Sequence, residues 1–307
     1  MISIIIPTFN RADLLPETMN SILNQSDTNW ECILVDDGST DETWAVLQNY
    51  AAKDPRFKTF KRQEFQKPKG ANACRNLGIE KSKGEYLLFF DSDDLMTENA
   101  ISDHHKFIDQ YHPALNILQS VYFGDESLNT EKIVSGDIHA PNLVEEFFRK
   151  ETVWITHNPV VSKSFLNQHQ IIFNESLKAG QDWEFFMKIL VRNPKITSFD
   201  NIGTQMRIHN ESISNNEGGR ALKYFHYYKA RNIIFNVYLS ENQRNNLKIY
   251  YKDYSTNLLR ELIKMQKFDW AKEIIINETA GKKLLANLSY LQLYKITKKG
   301  ISKIDLF

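Results

Sequence analysis

The sequence has few cysteines, no long apolar run and no excess of charge of either sign. Cys32 and Cys74 are the only cysteines, so we expect neither a disulfide framework nor a thiolate metal site. No run of about 18 apolar residues occurs, which argues against a membrane-spanning helix. Lys+Arg 38 balances Asp+Glu 38, so no overall field attracts nucleic acid. Pro7 interrupts the opening apolar run, which argues against a secretory signal and favours the cytoplasm.

The composition is that of a folded α/β protein. Its 307 residues are 42% hydrophobic and 25% charged, which excludes a disordered chain and allows one large domain or two ordinary ones. In the first 125 residues, short apolar runs alternate with segments of helical periodicity, and this alternation predicts a mostly parallel sheet with helices on both faces. The predicted strands are Ile2–Pro7, Trp30–Val35, Phe57–Lys61, Tyr86–Phe90 and Asn116–Phe123. The predicted helices cover about 14–23, a segment after a Ser39/Glu42 capping box, Ala71–Ser82 and Thr97–Tyr111.

The rest of the chain divides into a less regular segment and a helical one. Leu143–Lys150 and Asp182–Arg192 have helical periodicity, and Ile196–Ile208 is typical of strand, turn and strand. From Arg220 onward the pattern is helical. We therefore expect a sheet domain over 1–219, in halves 1–125 and 126–219, and a helical region over 220–307.

Polar clusters directly follow three of the predicted strands, and they favour a ligand site. In open α/β sheets, ligands bind outside the carboxyl ends of the strands. Each acid could instead only cap the following helix. In extended backbone, the carboxylates of Asp91 and Asp93 project to one side, while Ser92 turns away. Two like charges this close repel each other unless a cation lies between them, and oxygen ligands suit magnesium or manganese.

Two common phosphate-binding motifs are missing. The sequence contains no G-x-x-x-x-G-K-[ST] loop, and no G-x-G-x-x-G follows the first strand. A P-loop NTPase is therefore excluded and a dinucleotide site is not expected. The pattern predicts a phosphate ester that is held mainly through a metal ion.

Four motifs resemble those of family 2 glycosyltransferases, in the family's order and spacing. They are SIIIPTFNR at 3–11, DDGSTD at 36–41, GANACRNLG at 70–78 and DSDD at 91–94. The resemblance implies the GT-A fold, a Rossmann-like α/β arrangement, and an inverting transferase of the bacterial surface-glycan type. Residues 1–125 would then bind the nucleotide sugar and 126–219 would face the acceptor.

The resemblance also implies roles for individual residues. The backbone around Pro7 and Thr8, together with Asp37 and Arg75, would hold the nucleoside, with Asp37 at the base edge. Asp91 would contact the ribose side and ligate the metal, and Asp93 would be the main metal ligand. The other donor-binding residues that it implies are Asn10, Asn72, Ser92 and Arg207.

Two further motifs resemble later parts of the family's catalytic domain. In Gln181-Asp182-Trp183, the aspartate matches the residue usually assigned as general base, whereas Gln181 replaces a frequent glutamate. Asp182 could instead serve only as a helix cap. Arg207-Ile208-His209 resembles a basic motif in which the histidine contacts metal or diphosphate. A polar surface strand is the alternative for His209.

The helical region allows two interpretations. Its aromatic stretch over 224–238 and its basic end are consistent with a peripheral face at the inner side of the membrane, which would suit a lipid-linked acceptor. Aromatic residues at helical spacing are more often core residues, and we favour that interpretation.

The sequence thus predicts a metal-dependent hexosyl- or N-acetylhexosaminyl-transferase. We expect a UDP-sugar donor, manganese or magnesium as cofactor, and a glycan or lipid-linked acceptor. The alternatives are a sugar-phosphate nucleotidyltransferase and a non-catalytic nucleotide-sugar-binding module. The sugar, the linkage, the acceptor and the oligomeric state have no motif that would predict them.

Overall fold

The computed structural model describes residues 1–124, 136–208, 219–298 and 301–306. The chain forms two compact units: Met1–Ser176 with Gln181–Asn210, and Leu177–Gly180 with Glu211–Phe307. The first unit contains the sheet, and the described part of the second is mainly helical. Assignment of a function to each part of the chain stays a prediction.

The first unit is built on one eight-stranded sheet with the order β3-β2-β1-β4-β7-β6-β8-β5. The β1–β2, β2–β3, β1–β4 and β6–β8 pairs are parallel, whereas β7 and β5 pair with their neighbours antiparallel. The predicted mostly parallel sheet is therefore confirmed. The strands are β1 (Ile2–Thr8), β2 (Trp30–Asp36), β3 (Phe57–Lys61), β4 (Tyr86–Phe89), β5 (Leu95–Met96), β6 (Leu115–Phe123), β7 (Pro159–Ser162) and β8 (Ile196–Arg207).

Helices flank this sheet, as predicted. The central strands β1 and β2 are buried nearly throughout, which is typical of parallel strands covered on both faces. At Gly78, an added Cβ would lie 2.2 Å from Cγ2 of Ile5, so glycine permits a close approach of helix to sheet. The helices are α1 (Leu15–Leu23), α2 (Thr43–Lys53), α3 (Ala71–Lys81), α4 (Ala100–Tyr111), α5 (Leu143–Arg149), α6 (Lys163–His169) and α7 (Gln181–Leu190).

Several local predictions are wrong. Segment 196–207 is one strand with irregular register rather than strand, turn and strand. The Ser39/Glu42 capping box does not form, because Oγ of Ser39 accepts a hydrogen bond from the Asn10 N–H group at 3.0 Å. The carboxylate of Asp41 instead accepts the Thr43 N–H group at the start of α2, at 3.0 Å. Neither β7 nor α6 was predicted.

The second unit has its own helical core. Tyr228, Phe225 and Phe235 are buried, so these residues of the predicted aromatic stretch are core residues. Of the helices in the described ranges, none has both the length and the apolar content needed to cross a bilayer. The helices are α8 (Arg220–Ile233), which continues into a π-helical turn at Ile234–Tyr238, α9 (Glu241–Lys264), α10 (Phe268–Glu278) and α11 (Gly281–Thr297).

Glu31 on β2 links three segments of the first unit, and we expect it to stabilise the fold. Its buried carboxylate accepts hydrogen bonds from Oγ of Ser3, at 2.7 Å, and from the Lys83 N–H group, and it pairs with Lys58. Burial raises the pKa of Glu31, but these bonds outweigh burial and hold the pKa below its ordinary value of 4.5. The stabilisation is therefore present above about pH 4.5 and is lost as pH falls through the lower folded-state pKa.

Replacement Glu31→Gln is expected to lower the free energy of unfolding at pH 7 by about 1–3 kcal/mol. Urea unfolding at several pH values measures this difference, which should shrink below pH 4.5. Glu80→Gln is the matched control, because Glu80 forms an exposed ion pair with Lys67 and such pairs contribute about 0–1 kcal/mol. Equal losses in the two variants would contradict the role of Glu31.

Candidate active site at the carboxyl edge of the sheet

The loops after β1, β2 and β4 meet at one edge of the sheet. Thr8 is paired with Asp36 across the β1–β2 register, and the Asp37 N–H group donates to the Thr8 carbonyl at 2.8 Å. The β4 strand lies on the other side of β1, with Phe89 opposite Ile5. The predicted polar clusters therefore follow adjacent parallel strands.

The first two loops hold each other in place. Asn10 has a left-handed backbone, with φ of 49°, and its Oδ1 atom accepts the Thr40 N–H group at 2.9 Å. The Arg11 N–H group donates to Oγ1 of Thr43 at 2.7 Å. These bonds fix the chain just beyond Pro7, where the backbone was predicted to contact a nucleoside.

Asp37 lies in a buried ion pair that the sequence did not reveal. Its Oδ1 atom pairs with the guanidinium group of Arg62 and accepts the Gly70 N–H group at 3.1 Å. Gly38 has a φ of +95°, and a Cβ there would lie 2.2 Å from Nε2 of Gln63. Arg62 directly follows β3, and that position is the only sequence signal that could have pointed to it.

Helix α3 connects the acidic motif to a distant segment. Nη2 of the buried Arg75 lies 2.9 Å from Oδ1 of Asp91. One turn earlier, Nδ2 of Asn72 donates to the Asn174 carbonyl at 2.8 Å. Arg75 therefore lies beside an acidic residue of the predicted site, and its contact with the nucleoside stays a prediction.

The acidic motif is a turn rather than extended backbone. β4 ends at Phe89, and Ser92 and Asp93 form the turn, so the predicted alternation of side chains is wrong. The carboxylate of Asp93 pairs with Nε of Arg11 at 3.4 Å. Ser92 is buried, and its carbonyl accepts Oγ1 of Thr18 at 3.2 Å. The turn is thus fastened to the loop after β1 and to α1.

Asp94 is a buried residue of this turn that our predictions had left out. Its Oδ1 atom accepts the Arg207 N–H group at 2.8 Å, and the side chain of Arg207 donates from Nε to the Asp93 carbonyl at 2.9 Å. Burial, together with the charge of Asp91, raises the pKa of Asp94 to about 8. The end of β8 is therefore attached to the acidic turn, and the contact of Arg207 with the donor stays a prediction.

His157 is a second residue that sequence patterns did not indicate. It is 2% exposed, and its Nδ1 atom lies 3.2 Å from Oδ2 of Asp94. Burial lowers the pKa of His157 to about 4. The segment before β7 places it there, more than 60 residues along the chain from Asp94, and no motif surrounds it.

The site has ligand atoms that suit a divalent cation. One carboxylate oxygen each of Asp91 and Asp94 and a ring nitrogen of His157 lie within 4.8 Å of one another. Neither ring nitrogen of His157 makes a hydrogen bond to the described residues. Carboxylate oxygens suit Mg²⁺ or Mn²⁺, and an imidazole nitrogen is compatible with transition metals. The residues present therefore fit such an ion.

Of the two later motifs, Gln181-Asp182-Trp183 lies within the described residues, and Arg207-Ile208-His209 lies only partly within them. Asp182 lies in the first turn of α7. The neighbouring Trp183 donates a hydrogen bond from Nε1 to the Phe147 carbonyl at 3.0 Å, which attaches this end of the helix to α5. A buried pair between Glu184 and Lys188, at 3.1 Å, lies further along the same helix. His209 lies outside the described residues, so its predicted contact with metal stays a prediction.

Solved structures of known proteins are similar to this chain in fold. The crystal structure of Staphylococcus aureus TarS 1-349 in complex with UDP-GlcNAc is similar, with a TM-score of 0.66 at 20% identity over 99% of this chain and 89% of that chain. The fold is GT-A, as predicted. The glycosyl transferase family 2 model matches residues 3–211, and this chain belongs to that family.

Curated relatives agree with this assignment. The putative teichuronic acid biosynthesis glycosyltransferase TuaG of Bacillus subtilis is 27% identical over 230 residues, covering 75% of this chain and 87% of TuaG. Poly(ribitol-phosphate) beta-N-acetylglucosaminyltransferase TarP of S. aureus is 27% identical over 84% of this chain and 79% of its own length. The chain spans only 26% of an uncharacterized Rickettsia bellii glycosyltransferase, at 29% identity over 192 residues.

Proposed function

We propose that this chain transfers a sugar, with inversion, from a UDP-sugar to a hydroxyl group of a glycan or lipid-linked acceptor. The observation that carries the proposal is the sheet edge at which Asp37, Asp91 and Asp93 each pair with an arginine. Fixed carboxylates and guanidinium groups at such an edge suit a ligand that has both a nucleoside and a diphosphate.

The first two loops would hold the nucleoside. Asp37 would accept hydrogen bonds from the base edge, since Arg62 and Gly70 already fix its carboxylate. Arg75 would lie on the ribose side together with Asp91. A UDP-GlcNAc complex of the similar TarS supports a uridine donor. Asn10, Asn72 and Ser92 would contribute through the loop positions described above.

The acidic turn would lie at the diphosphate. When bound, a divalent cation neutralises charge that develops on the departing diphosphate. Asp93 and Asp91 would hold it, with His209 as a further ligand. Asp94 and His157, which lie beside Asp91, are the alternative ligands. Arg207 would add positive charge beside the phosphates. A mannosyltransferase from Pyrobaculum calidifontis in complex with GDP-Man and Mn²⁺ has a similar fold, with a TM-score of 0.60, which supports this proposal.

Asp182 would act as general base. Its carboxylate would accept the proton of the acceptor hydroxyl while that oxygen forms a bond to the anomeric carbon. The bond from that carbon to the diphosphate oxygen breaks on the opposite face, and UDP leaves with its electron pair. Configuration at the anomeric carbon is therefore inverted.

The acceptor would be a growing surface polymer or its lipid-linked precursor. TuaG and TarP are named for teichuronic acid and poly(ribitol-phosphate) respectively. A further relative from Campylobacter jejuni, 40% identical over 101 residues, is named for an undecaprenol-linked acceptor. Membership of the glycosyltransferase family favours glycosyl transfer over the nucleotidyl transfer considered above. A binding module without turnover is distinguished by experiment.

A thermal-shift panel of nucleotide sugars with Mn²⁺, followed by a UDP-release assay, tests the proposal. A donor at 100 times its Kd should stabilise the fold by about 2.7 kcal/mol. We expect UDP-sugars to raise Tm and to release UDP slowly in water, and Asp37→Ala to lose the shift. Asp109→Ala, on the exposed face of α4, is the control. Stabilisation without UDP release from any donor, with or without glycan acceptors, would favour a binding module.

A further inference from the structure

We propose that the outward face of α11 binds an anionic lipid surface. This face is formed by Leu285, Ser289, Gln292, Leu293 and Ile296, all of which are exposed. The proposal concerns the second unit alone and does not rest on the proposed transfer reaction.

The spacing of these residues places them on one side of the helix. At about 100° per residue, Leu285, Leu293 and Ile296 lie within about 80° of one another. Their exposed fractions are 67%, 43% and 75%. Single exposed apolar residues are common, but three aligned along more than two turns form a stripe that water solvates poorly.

The other side of α11 already has a packing role. Asn287 and Leu291 are buried, and Nδ2 of Asn287 donates to the Asp305 carbonyl at 2.7 Å. These contacts attach the helix to the core of the second unit. The outward stripe is therefore not required for that core.

The charge around the stripe is positive, which favours an anionic partner. From residue 279 to residue 304 the sequence has six lysines and no acidic residue, and one of the six, Lys283, pairs with the following Asp305. Lys282 and Lys295 are exposed: by helical spacing Lys282 lies within the angular range of the stripe, one turn before Leu285, and Lys295 lies about 80° to one side of Leu285. An anionic lipid surface attracts such lysines, whereas a second copy of the same face would repel them.

Ile249 of α9 provides an internal comparison. It is 77% exposed, as much as Ile296, but Asp253 lies one turn away on the same helix. Ile249 therefore belongs to no apolar stripe, and its surroundings lack the excess of lysines found around α11. Ile249→Glu is therefore a matched control for substitutions on α11.

Vesicle co-sedimentation of the full chain tests the proposal. We expect binding to vesicles of phosphatidylcholine mixed with phosphatidylglycerol, weak binding to phosphatidylcholine alone, and loss of binding as salt rises. The double variant Leu285→Glu/Ile296→Glu should bind at least about tenfold more weakly, because both residues lose apolar burial. Ile249→Glu should bind like the original chain.

Several results would overturn the proposal. Absence of binding by the original chain is one, and equal loss in Ile249→Glu is another. If sedimentation velocity shows a dimer that the double variant abolishes, the face mediates self-association instead. Unchanged thermal unfolding in the double variant shows that it folds. Because UDP-sugar binding is measured separately, failure of either proposal leaves the other intact.

Discussion

Asp182→Asn is expected to lower the rate of sugar transfer by about 10²–10⁴-fold, since asparagine cannot accept the acceptor proton. Affinity for the UDP-sugar should stay within about twofold, because the donor-side contacts lie on other elements. Asp182 lies in the first turn of α7 rather than at its N-cap, so the substitution removes a charge–dipole interaction of about 0.3–1 kcal/mol and leaves the helix in place. Initial rates of transfer and calorimetric titration with UDP-sugar measure the two quantities.

Asp269→Asn is the matched control, because Asp269 also lies in the first turn of a helix, α10. It should leave both rate and affinity unchanged. If Asp182→Asn lost donor affinity and rate equally, its role would be donor binding. Full activity in Asp182→Asn would exclude the general-base assignment.

The second large effect is expected for Asp93→Asn, which should weaken Mn²⁺-dependent UDP binding at least about tenfold and reduce transfer by about 10³-fold. Removal of the carboxylate takes away the proposed metal ligand and its pair with Arg11. Titration with UDP in the presence and absence of Mn²⁺ separates metal-dependent from metal-independent affinity. Without Mn²⁺, the variant and the original chain should bind UDP alike.

Asp94→Asn is the informative comparison, since Asp94 lies beside Asp93 but contacts Arg207 and His157. We expect its stability to be no lower, because the amide oxygen can still accept the Arg207 N–H group and burial already disfavours a charge there, and we expect it to retain a Mn²⁺-dependent increase in UDP affinity. The opposite pattern, with Mn²⁺ dependence lost in Asp94→Asn and kept in Asp93→Asn, would assign the ion to the cluster of Asp91, Asp94 and His157.

Strong periodicity explains which parts of the fold could be predicted. The strands β1 to β4 are short, apolar runs between helical patterns, and each of them was predicted within one or two residues. Pro159–Ser162 contains only four residues and begins with proline, so no local pattern marks it as a strand. It becomes one because β4 and β6 pair with it on either side.

For the site, the sequence predicted several candidate residues but did not show which of them lie close together. Asp37, Arg75 and Asp91 follow strands or lie in a motif, and the structure brings Arg75 to Asp91. Arg62 directly follows β3 but lies in no motif, and His157 has neither signal; their partners, Asp37 and Asp94, lie on other segments.

By itself, the sequence determined the α/β class, the motifs and the edge at which polar loops collect, since these follow from local periodicity and chain order. Only the tertiary structure decided that the acidic motif turns, that Asp94 is buried against His157, and that one side of α11 is left to solvent. The physical reason is that burial and ion pairing depend on contacts between segments that are distant in sequence, and no local sequence pattern determines those contacts.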